Sequence, residues 1–312
     1  MSGTDFDLVV QGGRCVLAGI GCREVDLGIA GERIAAVAQD LSGATAAERI
    51  DARGLTVLPG AIDAHYHLGI YRGLAEDAES ETLSSLAGGV TSVLSYFRTG
   101  DHYLHRTGPY SEILPEVLAA VAGHARTDYG FHLAPMDSVH LGEIPQLIER
   151  HGVGSFKYYM FYKGLDLSGV RPAHAETMSE TYDLGHLFEI LEQVAAAAQR
   201  GSALRLSVSI HAEQPELIRV FMQRVRAHPT LRGLHAYSEA RPPLTERLAI
   251  GEAGVLAAAT RCPVNLLHLS SAEALDAAVE LRRSRPQLDV RLETTLHHLA
   301  LSMRPTTISA AR

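Results

Sequence analysis

Between Pro59 and about Leu301 the chain alternates short apolar runs with longer helical patterns, and this alternation constrains the fold most. The runs read as strands are 61–68, 91–97, 129–136, 155–161, 204–212, 263–270 and 288–301. The helical patterns between them include 76–87, 110–124, 183–199 and 271–284. Alternating strands and helices form a parallel sheet covered by helices. Seven strands in this order predict an α/β barrel of the TIM type. Such a barrel wants eight strands, so the expected barrel lacks strand eight.

Residues 6–58 have a different texture. The pieces Asp7–Val10, Arg14–Leu17, Val25–Ile29, Ile34–Val37 and Leu55–Leu58 are short, β-prone and separated by turn residues. Gly12-Gly13 reads as a turn between the first two. The expected organisation is the N-terminal part of a small β-sandwich over 1–58, then a barrel over 59–312 that is incomplete at its C-terminal end.

Composition narrows the partners. An apolar fraction of 46% with 21% charged residues is that of a globular chain with a sizeable core. A net charge of −8 and the absence of a basic run argue against nucleic acid and anionic membranes. The acidic start has no apolar core of a signal peptide, and no stretch reaches bilayer length. The 3 cysteines form no metal-ligand pattern, and their odd number fits a reducing cytoplasm. The expected partner is therefore a small molecule and the expected location cytoplasmic.

The first candidate ligands are His65 and His67, in Leu58-Pro59-Gly60-Ala61-Ile62-Asp63-Ala64-His65-Tyr66-His67. Histidines two apart on a strand share a face. At the end of a barrel strand that face is where active sites sit, and two imidazoles there can share a metal ion. A bare His-x-His is as often two ordinary polar residues; the preceding Pro-Gly and apolar strand favour ligands.

The run LPGAIDAHYHLG resembles the first-strand motif of the amidohydrolase superfamily. The ordered series DYGFHLAPMDS, GVGSFKYYMFYKG, SIHAEQPELI, ARPPLTE, NLLHLSSAEAL and LETTLHHLALS is similar to its dihydropyrimidinase/hydantoinase branch, over residues 7 to about 303. Lys157 lies among aromatic and apolar neighbours, where burial favours the neutral amine that can take up carbon dioxide as a carbamate. A lysine there can instead snorkel to solvent. The resemblance implies that Lys157 is carboxylated and bridges two divalent metal ions, zinc or manganese. His211 and His268 end the next two apolar runs. By resemblance they bind one ion, and His65 and His67 the other. Two cations sharing a water lower its pKa and polarise the carbonyl, which implies a hydroxide nucleophile opening a cyclic amide or ureide ring. Tyr162 matches a tyrosine that contacts the substrate and intermediate; simple packing is its other reading. The resemblance also implies a homo-oligomer, a tetramer, for a complete protein.

Dihydroorotases place an arginine soon after His-x-His to hold a carboxylate. Gly69 and Ile70 stand there instead, which favours a dihydropyrimidine or hydantoin. Arg72 and Arg98 keep allantoinase- and dihydroorotase-type activity open, and a non-catalytic homologue is the further alternative. His102 and His105 read as a loop at the barrel mouth. His132, His140, His297 and His298 read as structural or as supports behind the ligands, and Arg282, Arg283 and Arg285 as a solvated helix end. No aspartate follows Asp289, where the family has a metal-ligating base, and the tail after Met303 ceases to resemble the family. A barrel without its last strand keeps unpaired edges. Residues 1–312 by themselves are thus expected to be poorly soluble and to have little activity.

Overall fold

The computed structural model describes residues 5–99, 104, 106–162 and 182–301. His102, His105 and the tail from Ser302 lie outside them. The chain divides into two compact units, Met1–Ala61 and Ile62–Arg312.

The first unit is a single sheet of β1 (Phe6–Leu17), β2 (Gly21–Ala30), β3 (Arg33–Ala38), β4 (Ala46–Asp51) and β5 (Thr56–Val57). Its order is β3-β2-β1-β4, with β5 also on β1. β1–β2 and β2–β3 are antiparallel, while β4 and β5 run parallel to β1. This is the form of one sheet of a small β-sandwich. Cys15, Val25 and Leu27 form its buried core. The expected turn at Gly12-Gly13 is instead a bulge, since β1 continues through it with a register shift between Val10 and Gly13. Gly12 takes φ +69°, open to glycine without steric cost, and its N–H donates to the buried Asp26 carboxylate at 2.8 Å.

The second unit holds seven parallel strands: β6 (Ala61–Tyr66), β7 (Val90–Phe97), β8 (Asp128–Leu133), β9 (Ser155–Tyr159), β10 (Ser207–His211), β11 (Val264–Leu266) and β12 (Val290–Leu292). They lie side by side in chain order. The linking helices are α1 (Leu74–Ala87), α2 (Tyr110–Val121), α3 (Ser138–His151), α4 (Leu184–Gln199), α5 (Pro215–Ala227), α6 (Gly233–Ala240), α7 (Pro243–Thr260) and α8 (Ala272–Ser284). Helices on its faces leave the central strands buried on both sides, so that Ser207 and Ser209 of β10 are buried along with Val208 and Ile210. The four helices α3, α5, α6 and α7 were not among the patterns read from sequence. α7 carries two glycines, and a Cβ on Gly254 would come within 2.7 Å of Leu281 on α8, so glycine here permits close packing.

The run 288–301 is not one strand. β12 ends at Leu292, and α9 (Leu296–Ala300) follows. Leu296 and Leu299, three apart, are a helical repeat, and both are exposed. The sheet curls far enough that the end of β12 approaches β6: the Glu293 carboxylate contacts His65 Nδ1. The result is a TIM-like half-barrel with helices outside. No described helix is long and apolar enough to cross a membrane.

Candidate functional site

Four strands bring their residues around one point. His65 ends its alternation on β6, with His67 just beyond; Lys157 is in β9, His211 ends β10, and His268 follows β11. Ring centroids are 5.5 Å apart for His65–His67, 5.4 Å for His65–His268 and 4.1 Å for His211–His268. His268 Nε2 and His211 Nδ1 face each other at 2.9 Å. Lys157, 1% exposed, lays Nζ 4.3 Å from the Tyr96 ring centre and 4.8 Å from that of Tyr159. Tyr96 in turn lies 4.8 Å from His65 and 5.7 Å from His67. The residues singled out from sequence as ligands therefore gather at one end of the sheet.

Burial sets the protonation states. It pushes the Lys157 amine down to about 7, against an opposing pull from Glu293. His211 falls well below the ordinary imidazole value through burial, with the Lys157 and Arg241 charges adding to it. His268 falls likewise, through burial and then His211. Imidazoles held neutral keep a lone pair, the form in which histidine binds cations.

Two carboxylates orient these rings. Glu213 Oε2 lies 2.6 Å from His211 Nε2 and accepts from Arg241 Nη1 at 2.9 Å. Glu293 Oε1 contacts His65 Nδ1, and its Oε2 accepts from Asn265 Nδ2 at 2.9 Å. Burial pushes the Glu293 carboxyl up, but the contacts with His65 and Asn265 outweigh it and hold it low. A neutral imidazole donates one N–H to its carboxylate and so exposes the other nitrogen as a lone pair. By this logic His211 presents Nδ1 toward His268, and His65 presents Nε2. Glu293 stands just past the end of β12, which is what lets it reach His65. The two-residue spacing His211-Ala212-Glu213 was the available signal for Glu213. The pairing of Glu293 with His65 had none, because the two are 228 positions apart.

His268 has φ +38°, an uncommon conformation for a side-chain-bearing residue. Its neighbours hold it: Leu267 N–H donates to Ile210 O at 3.2 Å and Leu269 N–H to Glu293 O at 2.8 Å. The Glu246 carboxylate on α7 accepts from Ser270 N and Oγ at 3.1 and 3.0 Å and from Ser271 Oγ at 3.2 Å. Such strain gathers at functional sites.

Tyr162 ends a short 3₁₀ turn after β9 (Met160–Tyr162), stacked on Tyr159 at 4.5 Å. Arg72 pairs with Glu76 and Asp77 of α1. His140 is structural, its ring spanning Met136 N–H and Gly108 O, and His132 stacks on Tyr96 with Nε2 at 3.1 Å from Ala64 O. His297 and His298 are exposed on α9, contrary to a structural reading, and Arg282 and Arg283 are exposed at the end of α8.

The donor chemistry suits cations: imidazoles in two pairs, two orienting carboxylates and a buried amine. Among the described residues no three His, Cys, Asp or Glu side chains close on a single ion, so each imidazole pair would need a further ligand.

No family model matches the chain. It is 31% identical over 94% of its length to an allantoinase of Rubrobacter xylanophilus, spanning 58% of that protein. It is 30% identical over 89% of its length to a D-hydantoinase of Geobacillus stearothermophilus, spanning 54% of it. Its fold superposes on the crystal structure of dihydropyrimidinase from Brevibacillus agri with a TM-score of 0.75 and 26% identity, covering 94% of this chain and 58% of that one. By sequence and fold together, the chain is similar to hydantoinases, dihydropyrimidinases and allantoinases, and it spans less than two thirds of the length of each of these relatives.

Proposed function

We propose that this site hydrolyses a five- or six-membered cyclic amide or ureide, a dihydropyrimidine or hydantoin, with two divalent metal ions, zinc or manganese. The observation that carries the reading is the convergence of His65, His67, His211 and His268 around buried Lys157. In this reading the sheet is a TIM-type barrel, and the place between β12 and β6 is that of an eighth strand. The similarity to allantoinases supports a second ring, allantoin.

His65 and His67 would hold one ion, and His211 and His268 the other. Lys157, with its amine near neutrality, would add to carbon dioxide, releasing one proton and forming a carbamate whose two oxygens can bridge. When bound, such cations supply an acidified water and polarise the scissile carbonyl. The chain's own residues do the rest. Glu213 and Glu293 hold the tautomers of His211 and His65. Tyr96 and Tyr159 keep bulk water from Lys157. Tyr162 would donate its hydroxyl to an oxygen of the ring.

Zinc or manganese titration of the purified chain is the first test. Two ions per chain are expected, with Lys157→Ala losing the pair and short carboxylic acids partly restoring it. A carbonyl-carbon resonance from isotopically labelled carbon dioxide should appear with Lys157 and vanish with Lys157→Ala. Dihydrouracil, hydantoin, allantoin and dihydroorotate are then assayed; no ring opening above the uncatalysed rate with two ions bound overturns the hydrolytic reading.

A further inference from the structure

Arg98 follows β7 directly, at the end of the sheet where the rings gather. Strand alternation puts it on the same side as Tyr96, which covers the Lys157 amine. It is 9% exposed. Among the described residues no carboxylate pairs with it. Its Nη1 reaches the carbonyl of adjoining Thr99 at a long 3.5 Å, and its Cζ lies 5.4 Å from the Tyr162 ring centre. Tyr162 stacks on Tyr159, and Tyr159 lies 4.8 Å from Lys157 Nζ. The guanidinium therefore borders the same group of rings that lines the candidate site. The other arginines near the site are neutralised: Arg241 by Glu213, Arg72 by the acids of α1.

A permanent cation buried without a counter-charge is unfavourable until an anion completes it. A guanidinium offers a planar fork of donors that matches a carboxylate. We propose that Arg98 binds a carboxylate carried on the ring of the substrate. This rests on the ring-hydrolase reading and narrows it. It also revises the expectation of an uncharged ring drawn from Gly69 and Ile70, because the cation arrives from the end of β7 rather than just after His67.

The test is calorimetric titration of the zinc-loaded full chain with two matched pairs of rings. One pair is hydantoin-5-acetate and 5-ethylhydantoin; the other is dihydroorotate and dihydrouracil. Each carboxylated ring should bind about 10- to 100-fold more tightly than its uncharged counterpart, the effect of one charge-assisted hydrogen bond pair. In Arg98→Gln that ratio should collapse to within about twofold. Equal affinity within each pair in the parent chain overturns the proposal and leaves the ring reading standing. So does a preference that survives in Arg98→Gln. Failure of all four rings to bind overturns both. The comparison in the parent chain needs no variant, so a misfolded Arg98→Gln does not shelter the idea.

Discussion

Replacing Lys157 with methionine is expected to stabilise the metal-free chain at neutral pH, although it removes the centre of the candidate site. Burial lowers the amine from 10.5 to about 7. The amine therefore surrenders a proton on folding, and between those values the unfolded chain holds more protons than the folded one. Stability must rise with pH across that window. At about 1.4 kcal/mol per pH unit, the native chain is penalised by roughly 4 kcal/mol at pH 7, and by almost nothing at pH 10.5. Methionine is close in length and volume, and such a swap costs less than about 1.5 kcal/mol. The net gain should be roughly 3 kcal/mol at pH 7 and near zero at pH 10.5. Urea unfolding with a chelator and carbon-dioxide-free buffer reads this directly. Far-ultraviolet circular dichroism reports the second unit, because every described helix lies there. With a urea slope of about 1–3 kcal/mol per molar, the midpoint should move up by roughly 1 M or more at pH 7. A variant less stable than its parent at pH 7, or a gain that is the same at both pH values, would refute the reasoning.

Glu246→Ala removes the acceptor for the Ser270 and Ser271 donors and should cost about 1–3 kcal/mol, with weaker zinc binding through the loosened His268; unchanged stability and zinc affinity count against the anchoring role. Leu147, fully buried on α3, should lose about 2–5 kcal/mol on replacement by alanine, measured as a shift in the urea midpoint. Gly152 ends α3 at φ 68° with open space around it, so Gly152→Ala should cost about 1 kcal/mol of backbone strain alone, seen as a lowered melting temperature; no change would mean that the helix end relaxes.

Much of this architecture was legible because it is local. Each of the seven parallel strands falls in a stretch that reads as a strand along the chain, and the two-residue repeat that aligns side chains on a strand puts His65 and His67 together. His211 and His268 were legible for the same reason, as polar ends of apolar runs. The limits were also physical. Gly12-Gly13 is equally suited to a turn and to a bulge, and only the Asp26 carboxylate, brought in by the neighbouring strand, selects the bulge. Leu296, Leu299 and Leu301 are apolar in either structure, and their three-residue spacing was hidden by the strand before them.

The sequence by itself determined the alternating plan, the parallel order of strands and the residue types at their ends, since these depend on neighbours along the chain. Only the tertiary structure decided that Glu293 meets His65 across 228 positions, that Glu213 and Arg241 complete His211, and that Arg98 is buried with no acid among the described residues while Arg72 has three. Those facts follow from how far the sheet curls and which side chains its curl brings within hydrogen-bonding distance. No pattern of consecutive residues encodes that distance.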